Sequence, residues 1–182
     1  MALIQGKIRI IGGQWRRRII SFPDLADLRP TPDRVRETVF NWLGQDLSGK
    51  VCLDLFSGSG AMGFEAASRG AKHVVMVESK PTIVSALQVN VKKLKATQVE
   101  LIRMDAVAFI MSDSRQFDVI FIDPPYRLGL TPKLLTLLPS HLTKDGVVYV
   151  EGKNYILPDE PWHVWRSKQA GKVFFQLLKL SK

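Results

Sequence analysis

The sequence of 182 residues contains a single cysteine, Cys52, and three scattered histidines. One cysteine cannot form an intramolecular disulfide, and neither residue type has the spacing of metal ligands, so we expect no metal site. Cys52 lies among Val51, Leu53 and Leu55, which predicts a small buried residue.

Long apolar runs are also absent. No run approaches the roughly 18 residues that span a bilayer. Lys7 and Arg9 occupy the region where a signal peptide would have its apolar stretch. We therefore expect a soluble, unprocessed, cytoplasmic protein with no membrane partner. The composition, 46% apolar and 24% charged, excludes a collagen-like, coiled-coil or disordered chain.

Positive charge is concentrated at the two ends of the chain. The net charge of +9 divides into +5 for residues 1–36, −1 for residues 37–160 and +5 for residues 161–182. Lysine or arginine near phosphate releases condensed counterions and adds salt-sensitive affinity, so a polyanion is one predicted partner. Basic ends that only maintain solubility would explain the same charge.

Short apolar runs alternate with amphipathic segments through the middle of the sequence. This alternation indicates a doubly wound α/β sheet with helices on both faces. The predicted strands are residues 51–56, 74–78, 99–104, 117–123 and 146–151. Three helices are predicted between them, from Gly60 to about Arg69 and opening at Pro81 and at Thr131.

Turn residues mark a hairpin at each end of the chain. Gly12 predicts a small N-terminal hairpin, and a helix over residues 31–44 follows it. Gly171 predicts an antiparallel hairpin that closes the sheet. We therefore predict one domain with a mostly parallel, seven-stranded sheet. Residues 1–30 form a basic extension of this domain, and residues 31–182 form its core.

A glycine-rich loop follows the first predicted core strand and leads into a helix. It contains a G-x-G-x-x-G pattern at Gly58, Gly60 and Gly63. Glycines let the backbone approach a ligand, and the N-terminus of the helix offers unpaired N–H groups. Glu78 follows at the end of the next strand, where a carboxylate can accept hydrogen bonds from both hydroxyls of a ribose.

This loop fits either a nicotinamide dinucleotide or S-adenosylmethionine. Asp54 at the end of the strand favours the second, because a cationic amino-acid tail needs a carboxylate there and a dehydrogenase turn does not. About five core strands are also too few for the second nucleotide-binding half and the substrate domain of a typical dehydrogenase. A nicotinamide oxidoreductase is the alternative.

The sequence Asp123-Pro124-Pro125-Tyr126 follows the fourth predicted strand. Open α/β sheets bind ligands at the carboxyl ends of their strands, so Asp123 is expected to share a crevice with the glycine loop. Two consecutive prolines fix the backbone and remove two N–H donors, which leaves carbonyl oxygens directed at the crevice. A tight turn after a strand is the alternative, but it does not explain a glycine loop in register with these residues.

Such a loop of acceptors suits the methylation of an exocyclic amino group. The nitrogen is a poor nucleophile because its lone pair is delocalised into the base. If Asp123 and the Pro124 carbonyl accept its two N–H groups, the lone pair can turn toward an electrophilic methyl group. Tyr126 offers a ring on which an extruded base can stack.

With these motifs the chain resembles a class I S-adenosylmethionine-dependent methyltransferase. More narrowly, it resembles the RsmD family, which methylates the 2-amino group of one guanine in bacterial 16S ribosomal RNA. The specific part of the resemblance lies in RIIGG with Trp15-Arg16, and in LRPTPDRVRETVFNWL over residues 28–43. The glycine loop and the tetrapeptide are shared with adenine and cytosine methyltransferases that act on DNA. The departures from the family pattern are small. Ser57 stands where the family often has alanine, and Tyr126 where phenylalanine also occurs.

The resemblance assigns residues to the cofactor and to the RNA. The cofactor-binding set that it implies is Asp54, Phe56, Ser57, Gly58, Gly60, Glu78, Ser79, Asp105, Ala106, Thr31 and Arg36. In this set Asp54 contacts the methionine part, Glu78 the ribose and Asp105 the adenine amine, while Thr31 and Arg36 complete the pocket or hold the RNA. The implied catalytic set is Asp123, Pro124, Pro125 and Tyr126.

The implied RNA-binding set is Arg9, Trp15, Arg16, Arg17, Arg18 and Arg34. An aromatic face beside guanidinium groups suits stacking and phosphate contact on structured RNA. A solvated hairpin edge is the alternative. For the C-terminal cations Arg166, Lys168 and Lys172, RNA contact and a solvated surface both stay open.

The expected function is methyl transfer from S-adenosylmethionine to a guanine 2-amino group of 16S ribosomal RNA. The resemblance further implies a monomer that acts on a partly assembled small subunit. Two alternatives stay open: an adenine amino-methyltransferase that acts on DNA or RNA, and an RNA-binding assembly factor without catalysis.

Overall fold

Strands and helices alternate along residues 5–182, the part of the chain that this computed structural model describes. Within these residues the strands are β1 Gln5–Arg9, β2 Ile19–Pro23, β3 Val51–Asp54, β4 His73–Glu78, β5 Val99–Arg103, β6 Phe117–Ile122, β7 Leu142–Gly152, β8 Trp162–Ala170 and β9 Val173–Leu180. The α-helices are α1 Asp33–Trp42, α2 Ala61–Ser68, α3 Pro81–Leu94, α4 Ala106–Ser112 and α5 Thr131–Leu137. None of these helices is long and apolar enough to cross a membrane. Residues 1–4 of the predicted extension lie outside the described part.

Seven of these strands form one sheet in the order β5-β4-β3-β6-β7-β9-β8. The strands β3 to β7 run parallel, and β9 lies antiparallel between β7 and β8. This confirms the predicted parallel sheet with a closing hairpin. The chain order reverses between β3 and β6, so the loops after these strands flank one crevice. We call the edge where the parallel strands end the carboxyl edge.

Both faces of the main sheet are buried, which explains why its central strands are apolar at successive positions. In β6, Val119 and Phe121 pack in the layer that contains α1, α2 and α3, whereas Ile120 and Ile122 pack in the layer that contains α4 and α5. Cys52 in β3 is fully buried, as predicted, and burial raises the pKa of its thiol to about 12.

The N-terminal hairpin forms a separate two-stranded sheet of β1 and β2, as predicted. Asn90 of α3 holds β2, because its Nδ2 donates to the Ser21 carbonyl oxygen at 2.7 Å and its Oδ1 accepts from the Ser21 N–H at 3.3 Å. Glu65 of α2 holds the loop between the strands by accepting from the N–H groups of Ile11 and Gly12 at 3.0 and 2.8 Å. The hairpin is therefore fixed to two helices.

Two elements differ from the sequence prediction. The helix α4 was missed because, unlike α5 of the same length, it has no proline in its first turn to mark its start. The strand β7 begins four residues before the predicted start at residue 146, because Lys144 and Asp145 interrupt its apolar pattern at exposed positions.

Candidate active site

Three carboxylates lie at the carboxyl edge, each where a strand ends. Asp54 is the last residue of β3, Asp123 directly follows β6, and Glu151 is the last residue but one of β7. These three strands are parallel neighbours, so their ends bring the side chains together. Asp54 is only 3% exposed, and its Oδ2 accepts from the Gly63 N–H at 2.9 Å.

Burial raises the pKa values of all three carboxylates, and neighbouring negative charges add to the rise for Asp54 and Asp123. Burial raises the pKa of Asp54 to about 7, and the charge of Glu78 adds to the effect against the Gly63 hydrogen bond. Burial raises the pKa of Asp123 well above its usual value, and the charges of Glu151 and Asp54 raise it further. Within residues 5–182, no lysine or arginine forms an ion pair with any of the three carboxylates. A ligand that brings positive charge is therefore favoured here.

The glycine loop between β3 and α2 has a backbone that favours glycine. Gly58 and Gly60 have positive φ angles of 49° and 83°. A Cβ on Gly63 would lie 3.0 Å from Oδ2 of Asp54, so the third glycine lets α2 come close enough to donate to that oxygen. The Oγ of Ser57 donates to the Asp54 carbonyl oxygen at 3.0 Å and tightens the turn.

The carboxylates predicted to bind ribose and adenine lie at the same edge, on the next two strands. Glu78 ends β4, where its Oε2 accepts from the Gly58 N–H at 3.1 Å and its Oε1 from the Ser79 N–H at 2.9 Å. Asp105 follows β5 and caps α4 by accepting from the Ala108 N–H at 2.9 Å. In this structure both carboxylates accept hydrogen bonds from backbone N–H groups. Their contacts with a ribose and an adenine stay predictions.

Two smaller members of the predicted cofactor set lie next to these groups. Phe56 is half-buried in the glycine loop and packs against the layer of α4 and α5. Ala106 is buried as the first residue of α4, directly after Asp105. The structure thus brings most of the predicted cofactor set to one edge.

The Asp-Pro-Pro-Tyr loop presents free acceptors at the crevice. Asp123 is half-buried, and no hydrogen bond among the described residues reaches its carboxylate or the Pro124 carbonyl oxygen. Pro124 is buried, Pro125 is exposed, and Tyr126 exposes 47% of its surface. The loop can therefore accept two N–H groups and offer an aromatic ring beside them.

Glu151 is the site residue that the sequence analysis missed. Its carboxylate accepts from the hydroxyl groups of Tyr126 at 3.3 Å and Tyr149 at 2.6 Å. Burial raises the pKa of Glu151, and these two hydrogen bonds oppose the rise. Glu151 thereby ties the Asp-Pro-Pro-Tyr loop to β7. Its signal was present, because Glu151 ends the predicted strand 146–151, just as Asp54 ends β3.

Arg36 does not line the crevice, contrary to the prediction. It is 1% exposed, and its guanidinium group donates to the carbonyl oxygens of Thr31 and Arg9. It also forms ion pairs with Asp33 and Glu65. An arginine so enclosed has no surface for cofactor or RNA, and it joins α1 to the N-terminal hairpin. Thr31 is buried beside it, and its cofactor contact stays a prediction.

The predicted RNA-binding residues divide between surface and core. The exposed members are Arg9, Arg16, Arg17, Arg18 and Arg34. The first three line a cavity of about 240 Å³. Trp15 is 7% exposed within a cluster of buried apolar residues, and its N–H donates to Oγ of Ser68 at 3.0 Å. The prediction that RNA bases stack on Trp15 is therefore wrong, because the hairpin loop is bound to α2 with this ring inward.

Comparisons with known proteins find relatives along nearly the whole chain. A family model described as conserved hypothetical protein 95 matches residues 8–179. The chain is 41% identical over 177 residues to the ribosomal RNA small subunit methyltransferase D of Escherichia coli strain K12, which covers 94% of this chain and 89% of that protein. The protein of the same name from Haemophilus influenzae is 39% identical over 182 residues, with 95% and 94% covered.

Solved structures share the fold. The putative methyltransferase yhhF from Escherichia coli has a TM-score of 0.88 and 36% identity, and the match covers 97% of this chain and 99% of that one. The family match, the similar relatives and the crevice of strand-end carboxylates lead to one conclusion. The chain belongs to the RsmD family of methyltransferases, which the model of conserved hypothetical protein 95 describes, and it has their class I fold.

Proposed function

We propose that this chain transfers a methyl group from S-adenosylmethionine to the 2-amino group of a guanine in 16S ribosomal RNA. It does so as a cytoplasmic monomer, on a partly assembled small subunit. The observation that carries the proposal is the pair of acceptors on Asp123 and Pro124, which no described residue hydrogen-bonds, beside strand-end carboxylates that form no ion pair within residues 5–182. Relatives named for the methylation of small-subunit ribosomal RNA support the choice of substrate.

The residues at the carboxyl edge fit S-adenosylmethionine. This cofactor is cationic at its sulfonium and ammonium groups, and it supplies an electrophilic methyl carbon when bound. Asp54 accepts from the ammonium group, Glu78 from the ribose hydroxyls and Asp105 from the adenine amino group. The adjacent strands β3, β4 and β5 carry these three side chains in the same order as the three parts of the cofactor.

The Asp-Pro-Pro-Tyr loop activates the amino group. The Asp123 carboxylate accepts one N–H of the guanine amine, and the Pro124 carbonyl oxygen accepts the other. These contacts release the nitrogen lone pair from the ring and hold it toward the crevice. The Asp123 carboxylate then receives the proton that the nitrogen sheds after it is methylated.

Tyr126 holds the base while this happens. Its exposed ring gives an extruded guanine a stacking face, a contact worth roughly 1–3 kcal/mol. The hydrogen bond from its hydroxyl to Glu151 fixes the ring relative to Asp123. The exposed arginines of the N-terminal hairpin provide phosphate contacts outside the crevice.

A labelled-methyl assay tests the proposal. The protein is incubated with labelled cofactor and small-subunit particles that lack the modification, and the nucleosides are then separated. We expect the label in N2-methylguanosine. Label in adenine would indicate an adenine amino-methyltransferase, and RNA binding without transfer would indicate an assembly factor. Stabilisation by NADH but not by S-adenosylhomocysteine would indicate an oxidoreductase. Each of these three results contradicts the proposal.

The variant Asp123→Ala tests the assigned chemistry. Turnover should fall by at least about 100-fold, because one of the two acceptors is lost. Cofactor affinity, measured by calorimetry, should stay near the wild-type value. Asp145→Ala, which removes an exposed carboxylate near the amino end of β7, is the matched control and should retain full activity. Turnover retained in Asp123→Ala would overturn the role of this residue.

A further inference from the structure

A second cavity, of about 440 Å³ and broadly open to solvent, has no role in the proposed chemistry. It is lined by Lys153, Gln169, Gly171, Lys172 and Phe174. These residues come from the segment after β7 and from the β8–β9 hairpin. Lys172 is one of the C-terminal cations for which the sequence left RNA contact open.

The cavity lies at the carboxyl edge, beside the Asp-Pro-Pro-Tyr loop. Phe174 in β9 is in register with Gly152 at the end of β7 and with Gln169 in β8. Lys153 directly follows Gly152, and its Nζ lies 5.7 Å from the centroid of the Tyr126 ring. A ligand that extends from Tyr126 toward the hairpin therefore meets Lys153 first and the rest of the cavity next.

Positive charge surrounds this cavity. Lys153 and Lys172 are exposed, and neither forms an ion pair within the part of the chain that the structure describes. Nη2 of Arg34 in α1 lies 3.2 Å from the position that a Cβ on Gly171 would occupy. Two lysines therefore line the cavity, a third cation lies beside its Gly171, and the lining residues include no carboxylate. Such a place favours a phosphate group.

The cavity wall includes an aromatic ring that its neighbours hold in place. Tyr155 packs edge-to-face against Phe174, with ring centroids 4.8 Å apart. Nε2 of Gln169 donates to the Gly171 carbonyl oxygen at 2.8 Å and fixes the turn. Prior fixation of these groups reduces the entropy lost when a ligand binds. An aromatic wall beside cations suits an unstacked nucleotide.

We propose that this cavity binds the nucleotide next to the target guanine, with its phosphate at Lys153 and Lys172 and its base or ribose against Phe174. This inference rests on the proposed RNA substrate. When the target base leaves its stack to reach Tyr126, its neighbour loses a stacking partner, and the Phe174 ring replaces that partner. The cavity thereby favours RNA in which both nucleotides can be unstacked.

The variant Lys172→Ala tests the phosphate contact, and Lys144→Ala is its matched control. Lys144 is an exposed lysine near the opposite end of β7, so its variant loses the same charge far from the cavity. Lys172→Ala should raise KM for small-subunit particles about fivefold to tenfold at unchanged kcat, and should lower the slope of log KM against log salt by about one. Lys144→Ala should change neither, and both variants should bind the cofactor as the wild type does.

The variant Phe174→Leu separates the aromatic wall from the charge. Leucine keeps an apolar wall but removes the stacking face, so KM should rise about fivefold while the salt slope stays at the wild-type value. Thermal unfolding shows whether this variant is folded. Tyr155→Leu, which leaves the Phe174 ring in the wall but removes its support, should give a smaller rise in KM.

Equal KM values and equal salt slopes for Lys172→Ala and Lys144→Ala would overturn the proposal. If the wild-type protein methylates no ribosomal RNA, the proposed function fails, and the cavity is then tested by binding alone. Fluorescence anisotropy with a labelled single-stranded RNA oligonucleotide reads this binding without activity. Lys172→Ala should bind this RNA more weakly than Lys144→Ala at low salt, and equal affinities would overturn the cavity assignment.

Discussion

The two basic ends of the chain carry the same net charge of +5, and each contains a hairpin, but the two hairpins meet the rest of the molecule differently. The N-terminal hairpin is a separate sheet, held to α2 by Glu65 and to α3 by Asn90. The C-terminal hairpin adds β8 and β9 to the main sheet, so its turn at Gly171 reaches the carboxyl edge.

This difference shows that charge density alone does not identify an RNA contact. In the N-terminal hairpin the Trp15 ring is buried, and Arg18 donates to the Lys93 carbonyl oxygen, so part of its basic and aromatic pattern is structural. In the C-terminal hairpin Phe174 lines a cavity and Lys172 is exposed. The position of a hairpin relative to the strand ends therefore separates cations near the chemistry from cations that support the fold.

The largest expected effect on stability comes from removing the buried charge that anchors the N-terminal hairpin. In Glu65→Gln the guanidinium groups of Arg36 and Arg69 lose a fully buried partner, so the free energy of unfolding should fall by about 3–5 kcal/mol. Urea denaturation measures this loss. Glu37→Gln, at an exposed position on α1, is the control and should change the value by less than about 0.5 kcal/mol. A loss below about 1 kcal/mol in Glu65→Gln would contradict the anchoring role.

The next effect distinguishes the aromatic residues of the two hairpins. Trp15→Ala should lower the free energy of unfolding by about 3 kcal/mol, because it leaves a cavity under the hairpin. At a temperature where this variant is folded, its KM for RNA should equal that of the wild type, unlike that of Phe174→Leu. Val89→Ala, at a position that is 64% exposed, is the control for stability. A raised KM in folded Trp15→Ala would restore the stacking role of Trp15.

A smaller loss of stability is expected where the C-terminal hairpin holds the segment after β7. Gln176 in β9 accepts from the Ile156 N–H at 2.6 Å and donates to the Ile156 carbonyl oxygen at 2.9 Å. Gln176→Ala should cost about 1–3 kcal/mol, less than Glu65→Gln, because both partners are neutral. Thermal unfolding measures the loss, with Gln88→Ala at an exposed position on α3 as control. A loss as large as that of Glu65→Gln would contradict the expectation that these neutral hydrogen bonds stabilise the fold less than the buried charge does.

The last expected effect is a pH dependence, and substitutions in either hairpin should leave it unchanged. The folded protein raises the pKa of Asp54 to about 7, so it holds this proton more tightly than the unfolded chain does. Stability without ligand should therefore fall as the pH rises from about 4 to 7. A cationic ligand favours the carboxylate, so cofactor affinity should rise about tenfold between about pH 6 and pH 8, with release of a proton.

Calorimetry in buffers of different ionisation enthalpy measures this proton release. The variants Trp15→Ala and Lys172→Ala should give the wild-type curve, because neither side chain belongs to the acidic crevice. A flat affinity between these pH values would contradict the assignment of the raised pKa to the cofactor site.

The sequence predicted the parts of the molecule that local patterns determine. Strands buried on both faces are apolar at successive positions, and Gly58, Gly60 and the Asp123 loop lie where strands end, so both the sheet and its carboxyl edge could be predicted. The helix α4 has no proline to mark its start, and Asp105, which caps it, was assigned only to a ligand.

Residues whose roles depend on distant partners could not be placed in this way. Arg36 and Trp15 are enclosed because Glu65 and Ser68 of α2, far away in sequence, bind the hairpin loop and its neighbours. The part that Glu151 plays depends on β7 lying directly beside β6, which aligns its side chain with Tyr126. Pairing of this kind arises from the order of strands in the sheet and has no local signal.

The burial of Cys52 has a practical consequence for handling this protein. It lies in β3, which has hydrogen-bonded neighbours on both sides, and a thiol with a pKa of about 12 is almost never ionised at neutral pH. Alkylating reagents should reach it only when the whole sheet opens. The rate of alkylation therefore measures the rate of global opening. A cysteine introduced on the surface, for example at Ser167, can then carry a fluorophore without competition from the native thiol.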